Sequence, residues 1–179
     1  RGLECTHAYN QSPYYGDEDR KRLWPGYDAQ AQTECVREYL RGHDGKKPFV
    51  AFLSWGPPHN PYETAPQKFK ALYDPQKIIP RPNVPKGDVG KARADLAGYY
   101  AHCSALDECV GELLNTLNET GLAENTVFVF TSDHGDMLHS QGEQRKQRPW
   151  DESIRVPFLL RWPAGLGRQA ATIATPLNA

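Results

Sequence analysis

Two short stretches bring together side chains able to bind a cation and to move protons. The first is Asp133-His134-Gly135-Asp136. It follows directly on the apolar run Thr126-Val127-Phe128-Val129-Phe130-Thr131-Ser132. Ionisable groups at the end of an apolar strand are costly to place without a purpose. Asp133 and His134, side by side, have the chemistry of ligands for a metal ion, and Gly135 frees the backbone to turn. The plain alternative is a polar loop after a strand. The second stretch is Gly56-Pro57-Pro58-His59-Asn60-Pro61. Its prolines stiffen the backbone around His59. A histidine on a stiff loop is suited to proton transfer; otherwise it caps a turn.

Both stretches need strands to carry them. Residues 126–132 and 49–55 are continuous runs of β-branched and aromatic residues, too short for helices. Such runs predict strands buried on both faces, as in a parallel sheet covered by helices. Ligands of open α/β sheets collect at the carboxyl ends of the strands. Between the runs, Leu96, Tyr99, Cys103, Leu106, Val110, Leu113, Leu114 and Leu117 recur at three- and four-residue steps. They predict a helix over 91–118, stopped by Gly121. His102, Asp107 and Glu108 read as its polar flanks. Strand, helix and strand then form a right-handed crossover. A helix is also expected over 27–40, with Asp28 as N-cap and Ala31, Cys35, Val36, Tyr39 and Leu40 on its apolar face. Residues 66–73 read as a short helix and 74–90 as a proline-rich connector. Residues 1–25 read as an irregular aromatic loop in which His7 is structural. The fold class expected is α/β.

The 179 residues suit one domain with a real core. With 21 basic and 22 acidic residues the net charge is -1, so no basic field is available for nucleic acid. No apolar run approaches the roughly 20 residues of a membrane span. The four cysteines include no Cys-x-x-Cys pair, which argues against a structural zinc site. Cys103 and Cys109 lie about 9 Å apart along one helix axis, beyond the usual disulfide reach. Cys5 with Cys35 stays open.

The motifs extend beyond the two loops. Phe130-Thr131-Ser132-Asp133-His134-Gly135 is followed by Lys146, by Glu152-Ser153-Ile154-Arg155-Val156-Pro157 and by Arg161-Trp162-Pro163. Pro57-Pro58-His59-Asn60-Pro61 lies upstream. In order and spacing these resemble the sulfatase family, of the alkaline-phosphatase-like superfamily, over nearly the whole chain. The resemblance implies part of a mostly parallel sheet flanked by helices. It makes residues 1–179 the middle to C-terminal part of a catalytic domain, without the nucleophile region or the C-terminal subdomain. It implies that His59 contacts the sulfate and can protonate the leaving oxygen, and that Lys146 binds the sulfate and can also give that proton. Asp133 and His134 would hold a divalent metal, calcium first, with magnesium or manganese as alternatives. Many family members carry an amide at the His134 position. Glu152 and Arg155 read as structural; His139, Arg145 and Asp136 are given no role. The implied partner is a small-molecule or carbohydrate sulfate ester, in a periplasmic or secreted setting.

The sequence departs from the family at the nucleophile. The family's Cys/Ser-x-Pro-x-Arg motif, whose cysteine matures to formylglycine, is absent. None of Cys5, Cys35, Cys103 and Cys109 has proline two positions on, and no serine fits. The paired aspartates that complete the metal site are absent too. The expectation is that formylglycine lies upstream of Arg1 in a longer parent, and that this chain alone is inactive. Two rival readings are a phosphonate or phosphate ester hydrolase of the same superfamily, which Asp-His-Gly also suits, and a non-catalytic binding module of this fold.

Overall fold

The computed structural model describes residues 2–3 and 7–166. Its longest element is a helix at Val89–Glu119, here α3, which contains the expected 91–118. Ala92, Leu96, Ala97, Ala101, Ala105, Leu106, Cys109, Leu113 and Leu117 of α3 are buried. Four of these are alanines, so neighbouring segments can close on the helix axis. Those segments are α1 (Asp28–Gly42), a 3-10 turn at Tyr62–Thr64 and α2 (Gln67–Lys70). Gly121, at φ +73, stops the chain from continuing as helix.

Packing on several sides explains two departures from the sequence reading. His102 is not on a polar flank. It is wholly buried, and its Nδ1 accepts from the Tyr27 hydroxyl at 2.7 Å. Burial pushes its pKa down to about 4. Asp28 is not the N-cap of α1; Tyr27 is. Asp28 sits buried in the first turn, where its Oδ2 accepts from Ser12 Oγ at 2.8 Å. The buried face of α1 is Ala29, Gln32, Thr33 and Leu40, and Tyr39 is half exposed.

Gly98 sits where α3 meets the Tyr62–Thr64 turn. A Cβ there would lie 2.5 Å from the Tyr62 carbonyl oxygen, so only glycine allows this approach. The contact brings the Tyr62 hydroxyl to Asp136 Oδ2 at 2.7 Å. Residues 74–90 run along α3 through 3-10 turns at Pro75–Lys77 and Lys86–Asp88. They reach the loop after residue 136: Gln141 N–H donates to Asn83 O at 2.8 Å, and Arg81 to Ser140 Oγ at 3.2 Å.

Two small sheets are formed. β1 (Gly2–Leu3), β2 (Pro13–Tyr15) and β3 (Lys21–Leu23) are antiparallel, with Pro13 opposite Leu23. The N-terminal stretch therefore carries a hairpin within what reads as irregular loop. β4 (Phe128–Thr131) pairs with β5 (Phe158–Arg161), Phe128 opposite Arg161 and Thr131 opposite Phe158. The short helices α4 (Asp151–Ile154) and α5 (Pro163–Leu166) flank β5.

The α/β class holds, but all pairings among the described residues are antiparallel. β4 is half buried on one face only: Phe128 and Phe130 turn inward, Val129 and Thr131 outward. Residues 49–55 form no strand and make no backbone hydrogen bond among the described residues. Phe49, Leu53 and Trp55 pack on the cluster of Leu40, Leu113, Leu117 and Ala123, while Val50 and Phe52 are 83% and 95% exposed. A strand buried on both faces needs neighbours at its edges and a layer on each side. Here the helices cover one side. The β4–β5 pair faces α3 across a mostly apolar cavity of about 680 Å3, with Tyr99, Cys103, Val110, Phe128 and Leu160 in its walls.

No helix of the described residues is long and apolar enough to cross a membrane. Cys103 and Cys109 are free thiols. Cys5 lies outside the described residues, and the open Cys5–Cys35 pairing with it.

Candidate active site

His59 and Lys146, far apart in sequence, meet: Lys146 Nζ lies 2.7 Å from His59 Nε2. The His59 ring is oriented from its other side, where Nδ1 bonds the Asn60 carbonyl at 2.9 Å. A carbonyl only accepts, so Nδ1 carries the proton and Nε2 offers its lone pair to the Lys146 ammonium. Burial of the His59 ring lowers its pKa; the positive charge of Lys146 adds to this, and the Asn60 hydrogen bond opposes it. The result is a neutral imidazole touching a cation.

The Asp-His-Gly turn lies against the same pair. The His134 ring stands edge-on to His59, with centroids 5.9 Å apart. Its Nδ1 bonds the Gly135 carbonyl at 2.7 Å, which leaves Nε2 as the free acceptor, 3.6 Å from Asp133 Oδ2. The Asp133 carboxylate is 87% exposed. Its exposed oxygens and the His134 Nε2 lone pair have the right chemistry for two ligands of a divalent cation. Among the described residues no three His, Cys, Asp or Glu side chains converge on one point. The six to eight oxygens that calcium takes are therefore not assembled by these residues alone.

Gly135 is required for a different reason than the one the sequence suggests. Its φ is not positive. A Cβ there would run into the Glu152 carbonyl oxygen. Its N–H donates to Ser153 O at 2.8 Å. The Glu152-Ser153 segment thus pins the Asp133-His134 turn from behind. Glu152 is itself held by Asn83 Nδ2, 2.7 Å from Oε1, a bond that lowers the pKa of the Glu152 carboxyl.

Both carboxylate oxygens of Asp136 are already engaged. It is buried, accepting from the Tyr62 hydroxyl at one oxygen and from Leu138 N–H at the other, 3.1 Å away. Burial of the Tyr62 hydroxyl, with its hydrogen bond to Asp136, raises the Tyr62 pKa. Farther along, His139 Nε2 meets Asp95 Oδ2 at 2.7 Å. These two clamps tie the loop that ends at Lys146 to the Tyr62–Thr64 turn and to α3. His7 also joins the site, its ring stacked on His59 at 4.4 Å and 17°. Nothing in its sequence neighbourhood marks it. The partners Tyr62 and Asp95 are equally silent in the sequence, because their roles arise only when α3 is packed.

Comparison with known proteins places the family. The Sulfatase family model matches residues 3–178. An ulvan-active sulfatase of Formosa agariphila is 41% identical, the match covering 99% of this chain and 36% of that protein. A solved Bacteroides thetaiotaomicron protein of glycosaminoglycan metabolism is 28% identical with a TM-score of 0.81, covering 89% of this chain and 35% of that one. A phosphonate monoester hydrolase of Agrobacterium radiobacter is 20% identical with a TM-score of 0.67, over 78% of this chain and 34% of that one. That likeness is one of fold alone. The chain spans about a third of the length of each of these proteins. Its sequence match over nearly the whole chain makes this chain part of the sulfatase family.

Proposed function

We propose that this chain supplies the charge-neutralising and proton-transferring part of a sulfatase active site, acting on a sulfate monoester in a longer parent protein. The observation that carries the reading is the 2.7 Å contact between His59 Nε2 and Lys146 Nζ, beside the Asp133-His134 turn. A sulfate ester brings negative charge that must be offset, and its departing oxygen needs a proton. The Lys146 ammonium answers the charge. The pair holds one transferable proton between Nζ and Nε2, available to a departing oxygen that faces either nitrogen. Asp133 and His134 would hold a divalent cation, calcium first and magnesium or manganese otherwise, with further ligands from outside residues 1–179. When bound, that cation offsets charge on the sulfate oxygens. The nucleophile, a formylglycine by family resemblance, has no matching motif in these 179 residues and would come from elsewhere in the parent.

For substrate class we propose a sulfated carbohydrate. The similarity to an ulvan-active sulfatase and to a protein of glycosaminoglycan metabolism supports this. The test is the full-length protein assayed on matched aryl sulfate and aryl phosphonate esters. The larger kcat/KM is expected on the sulfate. A larger value on the phosphonate would overturn it in favour of the other branch of the superfamily.

A further inference from the structure

Beside the His59–Lys146 pair lies a polar cavity of about 280 Å3, whose walls include Asn60, Glu63, Asp95, His139, Gln144 and Arg145. Two of these are chain neighbours of the pair: Asn60 follows His59, and Arg145 precedes Lys146. Consecutive Cα atoms are about 3.8 Å apart, so two wall residues have backbones directly adjoining the pair.

Part of the wall is rigid. His139 is 2% exposed, donates to Asp95 Oδ2 at 2.7 Å, and has Gln144 Nε2 at 3.5 Å from its Nδ1. The loop that forms it holds Leu138, His139, Gln141, Arg145 and Gln147 at positive φ. Non-glycine residues adopt that conformation at a cost, and it clusters at ligand clamps. The remaining wall carries uncommitted groups. The Arg145 guanidinium and the Glu63 carboxylate are exposed, and neither side chain makes a hydrogen bond or ion pair among the described residues. Arg145 only donates and Glu63 only accepts. Sugar hydroxyls do both. A cavity with charge of each sign also favours a neutral polyol over a second anion, and its volume is near the lower end for small-molecule pockets.

We propose that this cavity receives the sugar ring bearing the sulfate, with Glu63 and Arg145 as specificity-determining residues that bind its hydroxyls. The proposal rests on the sulfated-carbohydrate reading above. The experiment compares the full-length enzyme with its Arg145→Ala and Glu63→Gln variants. The substrates are 4-methylumbelliferyl sulfate and a panel of sulfated oligosaccharides that includes an ulvan digest. Loss of a hydrogen bond to a charged group lowers affinity on the order of 10- to 100-fold. The expected result is a loss of kcat/KM on the oligosaccharide at least tenfold greater than on the aryl sulfate, carried mainly by KM. Thermal melting within a few degrees of wild type confirms that the variants fold. Equal losses on both substrates, or no loss on the oligosaccharide, would overturn the proposal. Wild-type enzyme that cleaves the aryl sulfate but no oligosaccharide also overturns it, leaving the sulfatase reading intact. Wild-type enzyme that cleaves neither defeats the sulfatase reading itself.

Discussion

The same substitution at two glycines of α3 should have opposite effects. Alanine is favoured over glycine in a helix interior by about 1 kcal/mol. At Gly111 nothing lies within 4 Å of the added methyl group, so Gly111→Ala should stabilise by roughly 0.5–1 kcal/mol. At Gly98 the new Cβ would lie 2.5 Å from the Tyr62 carbonyl oxygen and 2.8 Å from its carbonyl carbon. Both are backbone atoms, which cannot swing aside as a side chain would. Ordinary contact needs about 1 Å more separation, so the turn must back away from the helix. Overpacking of this kind costs about 1–3 kcal/mol. The shift also loosens the Tyr62 bond to the buried Asp136 carboxylate, of a type that contributes about 1.5–3 kcal/mol. Against the helix-propensity gain, Gly98→Ala should destabilise by about 1–4 kcal/mol. Denaturant titration of the two variants of the full-length protein, side by side, measures the difference. Equal or greater stability in Gly98→Ala than in Gly111→Ala would refute the packing argument.

Other outcomes follow from the same contacts. Tyr62→Phe removes the donor to Asp136 and leaves a buried carboxylate oxygen unpaired; denaturation should show a loss of about 1–3 kcal/mol, and a value near zero would deny the clamp. Gly135→Ala should push the Asp133-His134 turn off the Glu152 carbonyl, and calorimetric titration of the full-length protein with calcium should show weaker binding than wild type; equal affinity would count against the proposed metal role of that turn. Stability should also fall on acidification. Folded His102 stays neutral down to a pKa of about 4, whereas the unfolded chain takes up that proton near 6.5, so the unfolded state binds more protons between those values. One pKa unit corresponds to 1.36 kcal/mol, and the unfolded histidine is only half protonated at pH 6.5, so about 1.5 kcal/mol should be lost between pH 6.5 and 5. A His102→Gln variant that keeps the full wild-type pH dependence would count against this assignment.

Much of the site is legible in the sequence because its residues sit in compact local motifs. His59 lies in a proline-stiffened loop, and Asp133 with His134 closes an apolar run. Those local patterns lead to side chains that the fold does bring together. Lys146 is different: nothing in its own neighbourhood singles it out, and only the family resemblance marks it. Gly135 is conspicuous in sequence, but its reason is a close backbone approach that no local pattern encodes. The least legible parts depend on neighbours. Residues 49–55 and 126–132 have the composition of fully buried strands, and composition does not say which segments lie alongside. In the described residues one run has an antiparallel partner and the other has none. His102 and Asp28 mislead because their polarity suggests a helix flank and an N-cap, while α3 and α1 bury them, His102 bonded to Tyr27 and Asp28 to Ser12 through one carboxylate oxygen only.

The central claim is that the His59–Lys146 pair acts on the sulfate ester. The most direct test is turnover of 4-methylumbelliferyl sulfate by the full-length protein carrying Lys146→Ala, with its fold checked by circular dichroism. Lys146 is in contact with His59 and only partly buried, so the variant should fold. The expected result is a fall in kcat of roughly 100-fold or more, the scale set by losing one preorganised charge-stabilising group. Wild-type turnover in a folded Lys146→Ala protein would contradict it.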